Sequence, residues 1–321
     1  GLVPGADALA LGALARAHSG TVVVVSASGA AAERIADETG FFLGAHAREV
    51  LRLPDWETLP YDRFSPHQDL VSDRLRTLSR LARGEPVLLI VPVATLLQRI
   101  APVAHVSAAT LALVPGQRML IGALRETLLA AGYNLRDNVY EHGEFAVRGS
   151  IVDLFPMGQD DPVRIEFFDD EIETLRSFDP DSQRSLAPLE RLALLPGREH
   201  PFDAVAIEDF RRRWHTRFDN DHRNCPDYQD VIRGVAPGGI EYFLPLFFDA
   251  CATLFDYLPA ASLVCVEEGV REEIERTWQA IEERYHSLAG DVTRPLLAPA
   301  EICLRPDEVF AGLKPFARID F

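Results

Sequence analysis

Residues 21–35 read TVVVVSASGAAAERI: four successive valines that run through a serine- and glycine-bearing turn into an alanine-rich helix pattern. A continuous β-branched run has no polar face, so it fits a strand covered on both sides, as in a parallel sheet. The pattern recurs at Val87–Val91, between helix patterns at Ala6–His18, Ala30–Thr39, Gln68–Arg83 and Ala94–Ile100. Strands alternating with amphipathic helices define an α/β layer over residues 1–116. The turn after the first strand is where such a protein holds phosphates, on glycine N–H groups and a helix N-terminus. Here it offers one glycine, Gly29, and neither GxxxxGK(S/T) nor GxGxxG. The second strand ends in Pro92 and Val93 where a magnesium-holding acid would stand, and the one lysine of the chain is Lys314. Phosphate chemistry of the P-loop kind lacks its residues, and no cofactor is expected.

The 321 residues, 47% hydrophobic and 25% charged, have room for two or three domains and the composition of a globular protein. A net charge of −17 opposes strong direct binding to nucleic acid or to an anionic membrane. No apolar run approaches the ~20 residues of a membrane span, and the first residues lack the basic flank of a signal peptide. Four cysteines, Cys225, Cys251, Cys265 and Cys303, without a CxxC pair, suit a reducing cytoplasm. The chain starts without methionine and ends on a strand pattern, Phe316–Phe321, so it reads as a piece of something longer.

Leu53–Asp69, LPDWETLPYDRFSPHQD, has no periodicity and reads as a shaped loop. After Pro115 the pattern changes. A helix at Leu120–Ala131 precedes short strand patterns at Asn138–His142, Glu144–Phe155, Val163–Phe168, Ile172–Phe178 and Leu189–Leu195, which describe a smaller α+β domain with an antiparallel sheet. Helix patterns return at Ala204–Phe218 and Glu272–Ala289, with a strand at Ser262–Val266 and a flexible loop at Gly234–Glu241. His215, His222 and Cys225 match no zinc spacing. Asp169, Asp170 and Glu171 read as a hairpin tip. Within Val163–Phe168, alternation puts Val163, Ile165 and Phe167 on one face and Arg164, Glu166 and Phe168 on the other. Arg148 lies in the preceding strand pattern, beside a bulge expected at Gly149. Arginines with an aromatic ring on an open sheet face have the composition of a protein-binding hot spot. The competing reading packs Phe168 under a helix and leaves the arginines to solvate the sheet.

Longer motifs carry a family likeness. DWETLPYDRFSPHQD (55–69), LLIVPVATLLQR (88–99), EHGEFAVRGSIVDLFPMG (141–158), RIEFFDDEIETLRSFDPDSQRS (164–185) and GGIEYFLPLFF (238–248) resemble the N-terminal, UvrB-like region of the bacterial transcription-repair coupling factors. The resemblance covers essentially the whole chain. It implies a degenerate P-loop-NTPase-like parallel-sheet domain in two segments, residues 1–116 and 206–321, with a small α+β domain inserted at 117–205. It also implies recruitment of the excision-repair protein UvrA to stalled RNA polymerase, in contact with the remainder of a larger ATP-dependent DNA translocase. The family's UvrA contacts fall on Arg148, Arg164 and Phe168, with Arg176 and Glu166 as secondary candidates, and no residue is assigned to catalysis or metal binding. The rival readings are a nucleotide-dependent helicase or nuclease domain with an arginine-based phosphate site, and a spacer without a partner.

Overall fold

Val22, Val23, Val24 and Val25 are all buried, and neighbouring valines face opposite layers. Val22 and Val24 meet Leu11, Ile35 and Leu88 on one side, whereas Val23 and Val25 meet Leu78, Leu89 and Val91 on the other. The computed structural model describes residues 5–44, 48–108, 111–219 and 222–321. It begins with α1 (Ala6–Ala17), β1 (Val22–Ser26), α2 (Gly29–Leu43), β2 (Val50–Arg52), α3 (Gln68–Ala82), β3 (Leu88–Pro92), α4 (Val93–Leu96) and α5 (Val103–Ala108). The chain then enters a second unit with β4 (Leu111–Leu113), α6 (Ile121–Ala130), β5 (Asn134–Leu135), β6 (Glu144–Arg148), β7 (Ile151–Leu154), β8 (Val163–Phe168), β9 (Glu171–Phe178), β10 (Ser185–Pro188) and β11 (Leu192–Leu194). It returns through α7 (Ala204–Arg217), α8 (Pro226–Ile232), a 3-10 segment at Ile240–Leu246, α9 (Leu254–Tyr257), β12 (Leu263–Val266), α10 (Val270–Leu288), α11 (Pro299–Ile302), α12 (Pro306–Leu313) and β13 (Ala317–Asp320).

The first sheet is parallel, in the order β13-β12-β1-β3-β2. Its central β1 is hydrogen-bonded to β12, more than 200 residues later, so neither terminal segment completes the sheet alone. The second sheet runs β10-β9-β8-β7-β6-β5, antiparallel except for the β5–β6 pair. β4 and β11 pair antiparallel where the chain enters and leaves this unit.

Several elements differ from the sequence reading. Asn138–His142 forms no strand, because the Glu144 carboxylate accepts from the Tyr140 and Glu141 N–H groups and folds the segment back. Gly149 is not a bulge but half of a two-residue hairpin turn at φ 60°, with Arg148 opposite Ile151. The helix expected over Ala94–Ile100 is the single turn of α4, since Gln98 and Ile100 bridge to Cys303 and Ala252. The glycines near 238 are not a flexible loop. A Cβ on Gly239 would lie 2.1 Å from the Asp62 carbonyl oxygen, and one on Gly238 would lie 2.3 Å from that of Arg63. Only glycine admits this approach of two backbones.

That approach clamps the Leu53–Asp69 loop to the later segment. Tyr61 Oη donates to the Leu297 carbonyl at 3.0 Å, and Arg294 donates to the carbonyls of Tyr61 and Asp62 at 2.6 and 2.9 Å. α3 joins the two units: Leu78 and Leu81 enter the core under the parallel sheet, and Val71 and Leu75 enter the core of the second unit. On the same helix Arg74 is 0% exposed; its Nε and Nη2 donate to the Glu199 carboxylate and its Nη1 donates to the Pro54 carbonyl. Trp56 Nε1 donates to the same carboxylate at 3.2 Å. Removing one member strands the other charge in the interior. Arg74→Met is expected to lower unfolding free energy by about 3–5 kcal/mol in urea titrations, and Arg74→Met with Glu199→Leu to recover much of the loss.

Candidate partner-binding face

Residues directly opposite in a sheet share a face, which places the candidates in rows. One row across β6–β9 is Ala146, Asp153, Arg164 and Arg176, and the next is Arg148, Ile151, Glu166 and Thr174. Phe168 stands beyond them at the end of β8, where Asp169 and Asp170 turn the hairpin and Asp169 takes φ 57°. The opposite side of β8, Val163, Ile165 and Phe167, is buried in the core of this unit. Phe168 itself is 74% exposed, so it is not packed under a helix.

The two principal arginines are held by a residue that sequence reasoning missed. Asp153, 1% exposed, accepts Arg164 Nε at 2.7 Å and Nη2 at 2.9 Å, a bidentate pair, and also accepts Arg148 Nη2. Arg148 Nη1 donates to Asn138 Oδ1 at 3.2 Å, and Arg164 Nη1 donates to the Gln183 carbonyl at 3.3 Å. The Arg164 guanidinium lies 4.9 Å over the Phe178 ring, and its hydrogen bonds to Asp153 hold its basicity above the ordinary value. Glu166 accepts from Thr174 Oγ1 at 2.6 Å, and Arg176 is exposed on β9. The signal for Asp153 is one acid in the apolar run IVDLF; in the sheet it stands opposite Arg164 and one row from Arg148. Arg164 is therefore anchored and partly covered, Arg148 is half open, and Phe168 projects into solvent. The combination offers an apolar knob beside guanidinium groups whose orientation is fixed before any partner arrives.

At the corner after β1 the polar groups of the turn are engaged within the chain. The Ala27 N–H donates to Glu267 Oε2 at 2.9 Å, and the Ser28 hydroxyl caps α2 by accepting from the Ala31 N–H. Arg34 pairs with Asp7, Glu38 and Glu267. His215 donates to or accepts from Tyr228 Oη at 3.0 Å. Among the described residues, no group of three or more His, Cys, Asp or Glu side chains is placed to hold a metal ion, and no helix is long and apolar enough to cross a membrane.

A parallel α/β body carrying an inserted antiparallel sheet with an open arginine and phenylalanine face defines a UvrB-like arrangement. Residues 111–200 match the UvrB interaction domain family. The chain is 41% identical over 322 residues to the transcription-repair-coupling factor of Haemophilus influenzae, covering 100% of the chain and 28% of that protein. It is 44% identical over 307 residues to the transcription-repair-coupling factor of Escherichia coli, covering 95% of the chain and 26% of that protein. The protein of the same name from Myxococcus xanthus is 33% identical over 326 residues, covering 94% and 27%. The chain belongs to the transcription-repair-coupling factor family and spans roughly a quarter of the length of these curated relatives.

The three face residues should separate in a stability assay. Arg164→Ala leaves Asp153 buried with one partner and is expected to cost about 2–4 kcal/mol. Arg148→Ala, which leaves the bidentate pair intact, should cost under about 1 kcal/mol, and Phe168→Ala should stay within about 0.5 kcal/mol. Thermal melts of the single variants check the order.

Proposed function

We propose that this chain is a non-catalytic module of transcription-coupled nucleotide excision repair that recruits UvrA through the open face of its second unit. Arg148, Arg164 and Phe168 make the principal contacts, with Arg176 and Glu166 at the rim. The observation that carries the reading is Phe168, a phenylalanine 74% exposed on the same sheet face as two arginines oriented by one buried carboxylate. Aromatic and arginine anchors of this kind carry most of the binding energy of protein interfaces. The match of residues 111–200 to the UvrB interaction domain supports UvrA as the partner.

In this reading residues 1–116 and 206–321 form the degenerate domain and 117–205 the inserted one. The degenerate domain holds the face and contacts the remainder of a longer chain in the reducing cytoplasm. The Glu267 carboxylate in the phosphate corner speaks against the alternative of a nucleotide-driven helicase or nuclease.

Titration of purified UvrA into the chain by calorimetry tests the proposal. Arg148→Ala and Phe168→Ala, both expected to stay folded, should each weaken binding about thirtyfold, or ~2 kcal/mol. Arg164→Ala should do the same below its own melting temperature. Unchanged affinity in a folded Arg148→Ala/Phe168→Ala double variant would refute this face as the contact.

A further inference from the structure

Away from the second unit, a cavity of about 300 Å³ lies between the Leu53–Asp69 loop, the 3-10 segment and α10. Trp56 and Tyr242 line it, edge to face with ring centroids 5.5 Å apart, and Leu244 and Ile281 add an aliphatic wall. Such a space, mostly apolar with a few polar groups, is the form of a small-ligand site.

Its charged lining is of both signs, and part of it is paired within the chain. Arg99 and Arg276 also reach the cavity, but Arg276 is bonded to Glu273, and Arg99 to Glu308 and the Ala300 carbonyl. The acids Asp55 and Glu241 enter no ion pair among the described residues; each accepts from a neutral side chain, Gln98 Nε2 at 3.1 Å and Ser65 Oγ at 3.0 Å. Burial raises the proton affinity of both, Glu241 to about 7, and outweighs the opposing charges of Arg74 on Asp55 and of Arg198 on Glu241. Gln98, 8% exposed, spends its amide N–H on Asp55 and leaves Oε1 with no partner. Carboxylates outside any ion pair and aromatic walls lack the same thing, a positively charged donor in the cavity.

We propose that this cavity binds an ammonium or guanidinium group on an apolar stem. The cation meets Asp55 and Glu241, and the stem lies along Trp56 and Tyr242. The volume suits one basic side chain of a protein segment or one small free amine. The site is separate from the Phe168 face and stands or falls without UvrA.

The test follows the Trp56 indole and Gln98 amide resonances of the ¹⁵N-labelled chain during titration with benzylamine, benzyl alcohol and benzoate. Saturable shifts of both groups are expected with benzylamine, at least tenfold weaker binding of the alcohol, and none of benzoate. Asp55→Asn, which keeps the hydrogen bond from Gln98, should weaken benzylamine at least tenfold and leave the alcohol unchanged. Ala280→Trp, on the exposed wall contributed by α10, should block every probe while the melting temperature holds. Equal affinity for the three probes, or benzylamine binding that survives Ala280→Trp, overturns the proposal. A capped Gly-Gly-Arg-Gly-Gly peptide and agmatine then distinguish the sources: tighter peptide binding assigns a protein segment, and tighter agmatine binding a free amine. Failure of benzylamine, peptide and agmatine alike to bind the folded chain refutes the site.

Discussion

Arg74 and Glu199 meet in the interior at the point where the two units join, and the rest of the architecture is arranged around keeping them paired. Arg74 is carried by α3, which supplies side chains to both cores; Glu199 lies on the segment returning from the inserted unit; and Trp56 and the Pro54 carbonyl bring in the long loop. A buried pair of this kind adds little net stability over apolar residues of the same volume, but separating it leaves two charges unpaired in the interior. Along the same helix, Ser72 accepts from the Gly158 N–H at 2.8 Å and Arg76 pairs with Asp160 at 3.0 Å. The inserted sheet is thereby held in one orientation on the α/β body instead of swinging on β4 and β11.

Orientation matters because the candidate face is built on strands and not on loops. Asp153 repeats, on a smaller scale, what Glu199 does at the junction. One buried carboxylate decides where guanidinium groups point, and its burial makes any other arrangement costly. Phe168 needs no such support, since its place at the end of β8 beside the Asp169–Asp170 turn carries it into solvent. The face thus combines a polar part arranged by electrostatics and an apolar part arranged by backbone geometry.

Local periodicity made much of this legible. Val22–Val25 and Val87–Val91 declare a covered parallel sheet because both their faces are apolar, and alternation in Val163–Phe168 sorts Arg164 and Phe168 from the core. The remainder was hidden where the deciding partner is distant in sequence. Asn138–His142 has strand composition, but Glu144 redirects its backbone, and Gly238 and Gly239 look mobile until the Asp62 and Arg63 carbonyls are seen against them. Asp153 and Glu199 were missed for the same reason: an isolated acid announces nothing until the arginine from another element arrives. The identity of the family was readable from the long motifs, whereas the supports beneath its contact residues were not.

The carboxylate of Glu267 in the corner after β1 has a wider meaning. In a sheet that takes phosphates at this place, the turn is shaped by a diffusing anion whose supply changes with the metabolic state of the cell. Here the anion is tethered at the end of the neighbouring strand, present at a constant effective concentration and never consumed. An anion built into the chain holds the Ala27 N–H without drawing on any solute, so at this donor the turn answers to the strand beside it and not to the composition of the solution.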